Sequence, residues 1–301
     1  MRPALLVIVV AALLAGCGSA PGAPEDGRLH VAATTTQVAD FARHVAGTRA
    51  EVTGILHPNA DPHAFELRPH DVRAVREAGL VVRSGGELDD WLQEAIDAAG
   101  TRAPVLDLAG RVTLLDGDPH WWQDPRNAVR AVAALRDAMS AADPAGAEEY
   151  ARNAAAYTAR LERLDRATAA CIGRLAPAQR TLVTTHDALG AYAHRYGLRI
   201  VGAVIPSRST VAQPSVGDVD ALIATIRRTG VRAVFAENGV RPDVEEAIAH
   251  AAGAQVGRAL WTDTLGPAGS GGTDYLAAMA ANTAAIVDGL SGGTVHCRPE
   301  A

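Results

Sequence analysis

The tripeptide Asp-Pro-His occurs twice, at Asp61-Pro62-His63 and at Asp118-Pro119-His120. Proline fixes its own φ and drives the preceding residue to extended geometry. The imidazole that follows therefore sits in a stiff turn, which a metal ligand needs if several donor atoms are to converge. Alone, each tripeptide is more simply an ordinary turn that ends in His. Two further residues change that weighing. His186 follows the strand-like run Thr181–Thr184 and Asp263 follows Ala259–Trp261, as His63 follows Val52–Leu56 and His120 follows Val112–Leu115. In open α/β sheets, ligands bind beyond the carboxyl ends of strands. Three imidazoles and one carboxylate form a donor set suited to tetrahedral zinc.

The elements that must carry these residues alternate in type. Leu29 to Thr36 starts as a strand. Val38, Phe41 and Val45 then fall at helical spacing, closed by Gly47. Strand-like runs recur at 52–56, 80–82, 105–108 and 112–115, with helical segments over 69–78 and around Trp91. Asp124 caps a helix with Pro125 at its first position. Asp143-Pro144 opens another that continues to about Leu175, roughly 30 residues and about 45 Å long. After Pro177 the alternation restarts. Strands are predicted over 181–184, 198–204, 231–236 and 255–261, and helices over 187–196, 219–228, 242–252 and 275–290, with a polar loop over 206–216. The sequence thus predicts an α/β fold of two lobes, each a mainly parallel sheet flanked by helices, bridged by one long helix. Two of the four ligand residues fall in each lobe, which puts the metal site in the cleft between them.

Composition narrows the class. The chain has 301 residues, 48% hydrophobic and 21% charged, as a globular protein of one large or two ordinary domains does. All 28 basic residues are Arg, the formal charge is −6, and nothing supports a nucleic-acid partner. Arg2 precedes an apolar run from Ala4 to Leu14, too short to span a bilayer as a helix, and the run ends in Leu14-Ala15-Gly16-Cys17. This resembles a bacterial lipoprotein signal in which Cys17 is acylated; a plain secretory signal is the alternative. The expected organisation is signal peptide 1–16, flexible tether 17–27, N-terminal lobe 28–142, linking helix 143–175 and C-terminal lobe 176–301. An exported chain meets an oxidising compartment, so Cys171 and Cys297 are expected to bridge, with two buried thiols as the alternative.

The chain resembles the metal-binding lipoproteins of zinc and manganese ABC importers, from Arg28 to about Leu290. The matching stretches are Pro58 to His63, Gly86 to Leu92 and Asp118 to Asn127, then Asn153 and Tyr157 in the Asp143-Pro144 helix. They continue with His186 to Gly190, Tyr196 to Leu198, Val234 to Glu237 and Thr262 to Leu265. The resemblance implies two α/β lobes on a rigid linking helix. It implies metal capture outside the cytoplasmic membrane by a lipid-anchored monomer, delivery to a membrane permease, and no catalysis. The family's four ligands carry over to His63, His120, His186 and Asp263. Manganese-type members carry Glu at the position of His186, and nitrogen-rich sites suit zinc, so one Zn2+ per chain is expected, with Mn2+ as runner-up. Many zinc-type members also carry a His-rich loop between the first two ligands. Residues 92–118 contain no His here, so a second metal site is not expected.

Other residues remain open at this level. Glu237 ends a strand and could orient a ligand His, or equally serve as a surface carboxylate at a helix start. Trp121 and Trp122 either shield the metal or pack the core. His57 reads as a solvent-facing loop residue, with a fifth, transient ligand as the alternative, and His70, His194, His250 and His296 have no assigned role. Arg208 reads as a solvated loop residue, with a permease-facing role as the alternative. A zinc hydrolase is the competing function. It would keep one metal position open for water, whereas four protein ligands close the shell. No nucleophile elbow or Gly-rich phosphate loop is present. An adhesin role has no specific support.

Overall fold

The computed structural model describes residues 27–300, so the predicted signal peptide, Cys17 and nearly all of the tether lie outside the described residues. The N-terminal lobe is built on strands β1 (Leu29–Ala33), β2 (Ala50–Gly54), β3 (Leu80–Arg83) and β4 (Val105–Asp107). They form a parallel sheet in the order β2-β1-β3-β4. The C-terminal lobe uses β5 (Thr181–Thr184), β6 (Arg199–Ala203), β7 (Ala233–Glu237) and β8 (Gln255–Leu260), again all parallel, in the order β6-β5-β7-β8. The two sheets therefore share one topology, and their carboxyl ends supply the cleft residues.

Helices α1 (Thr36–Ala46), α2 (Pro69–Glu77) and α3 (Leu92–Ala99) flank the first sheet. Thr35 caps α1, its hydroxyl accepting from the Val38 N–H at 3.3 Å. Helix α4 (Pro125–Ala142) starts where the sequence predicts, with Asp124 as cap and Pro125 at the first position. The linking helix α5 (Ala147–Gly173) has 27 residues, about 40 Å at the α-helical rise, and follows a short 3-10 turn at Pro144–Gly146. The second lobe adds α6 (Gly190–Tyr196), α7 (Val216–Thr229), α8 (Asp243–Ala252) and α9 (Tyr275–Ser291).

One apolar core runs through both lobes. Phe41 of α1, Tyr157 of α5, Phe235 of β7 and Ile286 of α9 all belong to it. Across the lobe boundary the Phe41 and Tyr275 rings meet edge to face with centroids 4.8 Å apart. Cys171, near the end of α5, is disulfide-bonded to Cys297, which ties the chain's C-terminal segment to the linking helix.

Two expected elements differ. Residues 112–115 are not a strand. Thr113 makes its backbone hydrogen bonds to a side chain instead: its N–H donates to Asn127 Oδ1 at 3.1 Å, and its carbonyl accepts from Asn127 Nδ2 at 2.9 Å. Asn127 takes the place of a neighbouring strand, so apolar content alone misleads there. The helix expected from Asp187 begins only at Gly190. The turn around His186 uses the preceding residues, the Asp187 N–H donating to the Ser207 carbonyl at 3.0 Å.

Candidate metal centre

Each cleft imidazole is presented by a different local device. In the first Asp-Pro-His turn, Asp61 Oδ1 accepts from the His63 N–H at 2.9 Å and Pro62 opens a single 3-10 turn. The other oxygen of Asp61 accepts from the Thr210 hydroxyl at 2.5 Å, so this turn is also held from the opposite lobe. In the second turn, Asp118 Oδ1 accepts from the His120 N–H at 3.0 Å and lies 2.7 Å from His120 Nδ1. The same tripeptide therefore braces the His backbone in both copies and the imidazole ring as well in the second. His186 has a comparable partner from a distant element: Glu237 Oε1 lies 2.7 Å from its Nδ1 and accepts from its N–H at 3.2 Å. The register between β7 and β8 shifts between Phe235 and Glu237, an irregularity of the kind that re-aims side chains near functional sites.

With Nδ1 engaged, His120 and His186 present Nε2 to the cleft. His186 Nε2 lies 3.1 Å from Asp263 Oδ2, His63 Nε2 lies 3.2 Å from the same oxygen, and His120 Nε2 lies 3.4 Å from Asp263 Oδ1. His120 and His63 approach each other at 3.5 Å through their Nε2 atoms. One donor atom from each of the four residues falls within 4.8 Å of all the others. The side chains of His120 and His186 are fully buried, and those of His63 and Asp263 are 8% and 7% exposed.

The approaches to Asp263 are not aligned as hydrogen bonds. His186 Nε2 and both Asp263 oxygens are buried without a hydrogen-bond partner. Buried polar atoms are otherwise almost always paired, so three orphans aimed at one point call for a ligand that satisfies them together. A cation does. Burial by itself lowers the basicity of His186 and raises the pKa of Asp263. Their mutual attraction prevails: the Asp263 charge, with Glu237, holds His186 up at about 11, and the His186 and His120 charges hold Asp263 well below the usual carboxylate range.

The profile of the family described as "Zinc-uptake complex component A periplasmic" matches residues 31–289. The chain belongs to this family. Its members are solute-binding components of metal transporters, not enzymes. Among curated relatives, the manganese-binding lipoprotein MntA of Halalkalibacterium halodurans is 29% identical over 294 residues, covering 95% of this chain and 97% of the relative. The iron-binding protein YfeA of Yersinia pestis is 29% identical over 277 residues, 88% of each chain. Among solved structures, the periplasmic zinc-binding protein TroA of Treponema pallidum superposes with a TM-score of 0.81 at 26% identity, covering 88% of this chain and 99% of that one.

The four residues singled out from the sequence lie together in the cleft, and Glu237 Oε1 lies 2.7 Å from His186 Nδ1. Trp122 lies edge-on to His120, with ring centroids 5.5 Å apart, and both tryptophans are buried. Arg208 reaches across the lobes to donate to the Asp116 carbonyl at 3.0 Å, so it is not simply solvated. His57 stands outside the cluster, with its ring 5.9 Å from that of His70. Sequence reasoning missed the role of Asp118. The signal was present in the tripeptide itself, because an Asp two residues before His can reach that ring.

Proposed function

We propose that the protein captures one zinc ion per chain outside the cytoplasmic membrane and passes it to the permease of an ABC importer. The observation that carries this is the convergence of His63, His120, His186 and Asp263, whose facing atoms include three with no other partner. Three imidazoles and a carboxylate match the preference of zinc for nitrogen-rich tetrahedral sites, whereas manganese prefers more oxygen. Asp118 and Glu237 support the same reading. Each is placed to fix the tautomer and ring orientation of its imidazole, as carboxylates behind zinc-bound histidines do.

The relatives are named for manganese, iron and zinc, so the manganese reading stands as the second one. The zinc reading rests on the donor set, not on those names. Cys17 is proposed as the lipid-bearing N-terminus that keeps the monomer near its permease. A closed four-ligand shell leaves no position for a reactive water, which argues against a hydrolytic site.

The test offers zinc and manganese together, in equal excess, to chelator-stripped protein and measures bound metal by mass spectrometry. The expected result is one zinc per chain with little manganese. Preferential retention of manganese would overturn the zinc assignment, and retention of neither would overturn the site.

A further inference from the structure

Asp263 is encoded by the C-terminal lobe, yet the segment that carries it is bonded mainly to the N-terminal one. The Thr262 carbonyl, in the peptide bond next to Asp263, accepts from Trp122 Nε1 at 3.0 Å and Gln123 Nε2 at 3.0 Å, with Gln37 Nε2 at 3.4 Å. A carbonyl has two lone pairs, so the two shorter bonds use its capacity and the third shares it. Two residues past Asp263, the Leu265 N–H donates to Thr36 Oγ1 at 2.8 Å and the Leu265 carbonyl accepts from the Asn59 N–H at 3.1 Å. All of these partners belong to the first lobe.

Bonds to the second lobe flank this segment, and after it the Gly266 N–H donates to the Gly272 carbonyl at 2.7 Å. Trp261 is held by Asn282 in both directions at 2.7 Å, and the Thr262 hydroxyl donates to Glu237 Oε2 at 2.7 Å. Thr262 is therefore the junction, with its side chain on one lobe and its carbonyl on the other. Gln123 strengthens the case. Its Oε1 is buried without a hydrogen-bond partner, so the side-chain amide loses stability at one end while its other end donates to Thr262. An apolar side chain of the same shape would fill the space without that cost. The donor is what the amide supplies.

We propose that Asp263 is held by the N-terminal lobe, positioned through the Thr262 carbonyl by Trp122 and Gln123, so that His186 alone travels with the C-terminal lobe when metal leaves. This rests on the metal-binding reading above. Release then starts from a four-ligand site and passes through a three-ligand site of His63, His120 and Asp263 that stays assembled on one lobe.

The test is the double variant Trp122→Phe/Gln123→Met, which removes both donors and keeps a ring and a side chain of similar length. Zinc dissociation into excess chelator should speed up on the order of tenfold, the combined effect of two neutral hydrogen bonds. The Leu265 amide should exchange hydrogen faster in the metal-free variant. The same acceleration should persist in a His186→Ala background, because Asp263 would still serve the remaining site. An unchanged dissociation rate, in a protein that binds zinc and is weakened by Asp263→Ala, would overturn the inference and leave the metal site standing. Faster dissociation with unchanged Leu265 exchange and a lowered melting temperature of the metal-free protein would also overturn it, as general loosening. If the double variant does not fold, Gln123→Met alone is held to the same readouts. If the unaltered protein takes up no zinc, the underlying reading falls and this inference with it.

Discussion

Glu237→Gln separates the charge behind His186 from the shape behind it. Glu237 accepts from the His186 N–H and the Thr262 hydroxyl and lies 2.7 Å from His186 Nδ1. A glutamine of the same length can keep this arrangement, its carbonyl facing His186 and its amide donating to the Thr262 oxygen. What it loses is the negative charge. Hydrogen bonds to charged groups contribute about 1.5–3 kcal/mol against about 0.5–1.5 for neutral ones. The Nδ1 bond acts directly on the ligand, so its loss of charge assistance weakens metal binding by about 1–1.5 kcal/mol, or roughly tenfold. Carboxylates behind metal-bound histidines typically contribute about 10–100-fold in affinity. Zinc affinity, read by competition with a chelator of known affinity, should fall by about one order of magnitude in Glu237→Gln. It should fall further in Glu237→Ala, which leaves both His186 Nδ1 and the Thr262 hydroxyl without their acceptor. Affinity within twofold of the unaltered protein, while Asp263→Ala is clearly weakened, would refute the role assigned to Glu237.

His186 is held up at about 11 in the metal-free protein, so metal must displace its proton. Calorimetry at pH 7 in buffers of different ionisation heat should find about one proton released per zinc from this residue, with affinity rising about tenfold per pH unit above pH 7; no proton release would refute the pairing. The stability of the metal-free protein carries the same signature. The contribution of His186, whose pKa is raised, is full below its unfolded value of 6.5 and is lost as pH rises through about 11. That of Asp263, whose pKa is lowered, is present above 3.8 and is lost as pH falls through its depressed folded value, so thermal scans against pH should lose stability on both sides. Reduction of Cys171–Cys297, which closes a separation of 126 residues, should cost about 5 kcal/mol and lower the melting temperature by roughly 10–20 °C; an unchanged transition would show the bridge to be dispensable. His186→Glu adds an oxygen donor and removes a nitrogen, so the ratio of bound manganese to zinc in mixed-metal loading should rise; an unchanged ratio would show that this position does not choose the metal.

The fold was legible where periodicity and end signals agreed. Asp124-Pro125 marked the start of α4, and the four strands of the second lobe could be placed from their apolar runs. Residues 112–115 misled because the Asn127 side chain supplies the hydrogen bonds that an apolar run suggests a neighbouring strand would make. The start of α6 was placed too early because the His186 turn is set by the loop at Ser207, far along the chain. Within the site, His63, His186 and Asp263 could be read because each comes after a strand, whereas His120 was marked by the repeated Asp-Pro-His and not by the run 112–115, which is no strand. Asp118 could have been read from its spacing to His120. The bonds at the Thr262 carbonyl could not. A backbone oxygen has no residue type to mark it, and its donors at Gln37 and Gln123 lie 225 and 139 positions away.

The most direct test of the metal site is a crystal structure of the zinc-loaded protein with anomalous diffraction recorded on both sides of the zinc absorption edge. One strong zinc peak is expected in the cleft, bonded to Nε2 of His120 and His186, to an imidazole nitrogen of His63 and to the Asp263 carboxylate, with Asp118 and Glu237 on the far nitrogens of their rings. A zinc peak elsewhere, such as between His57 and His70, with the cleft residues unligated, would contradict it.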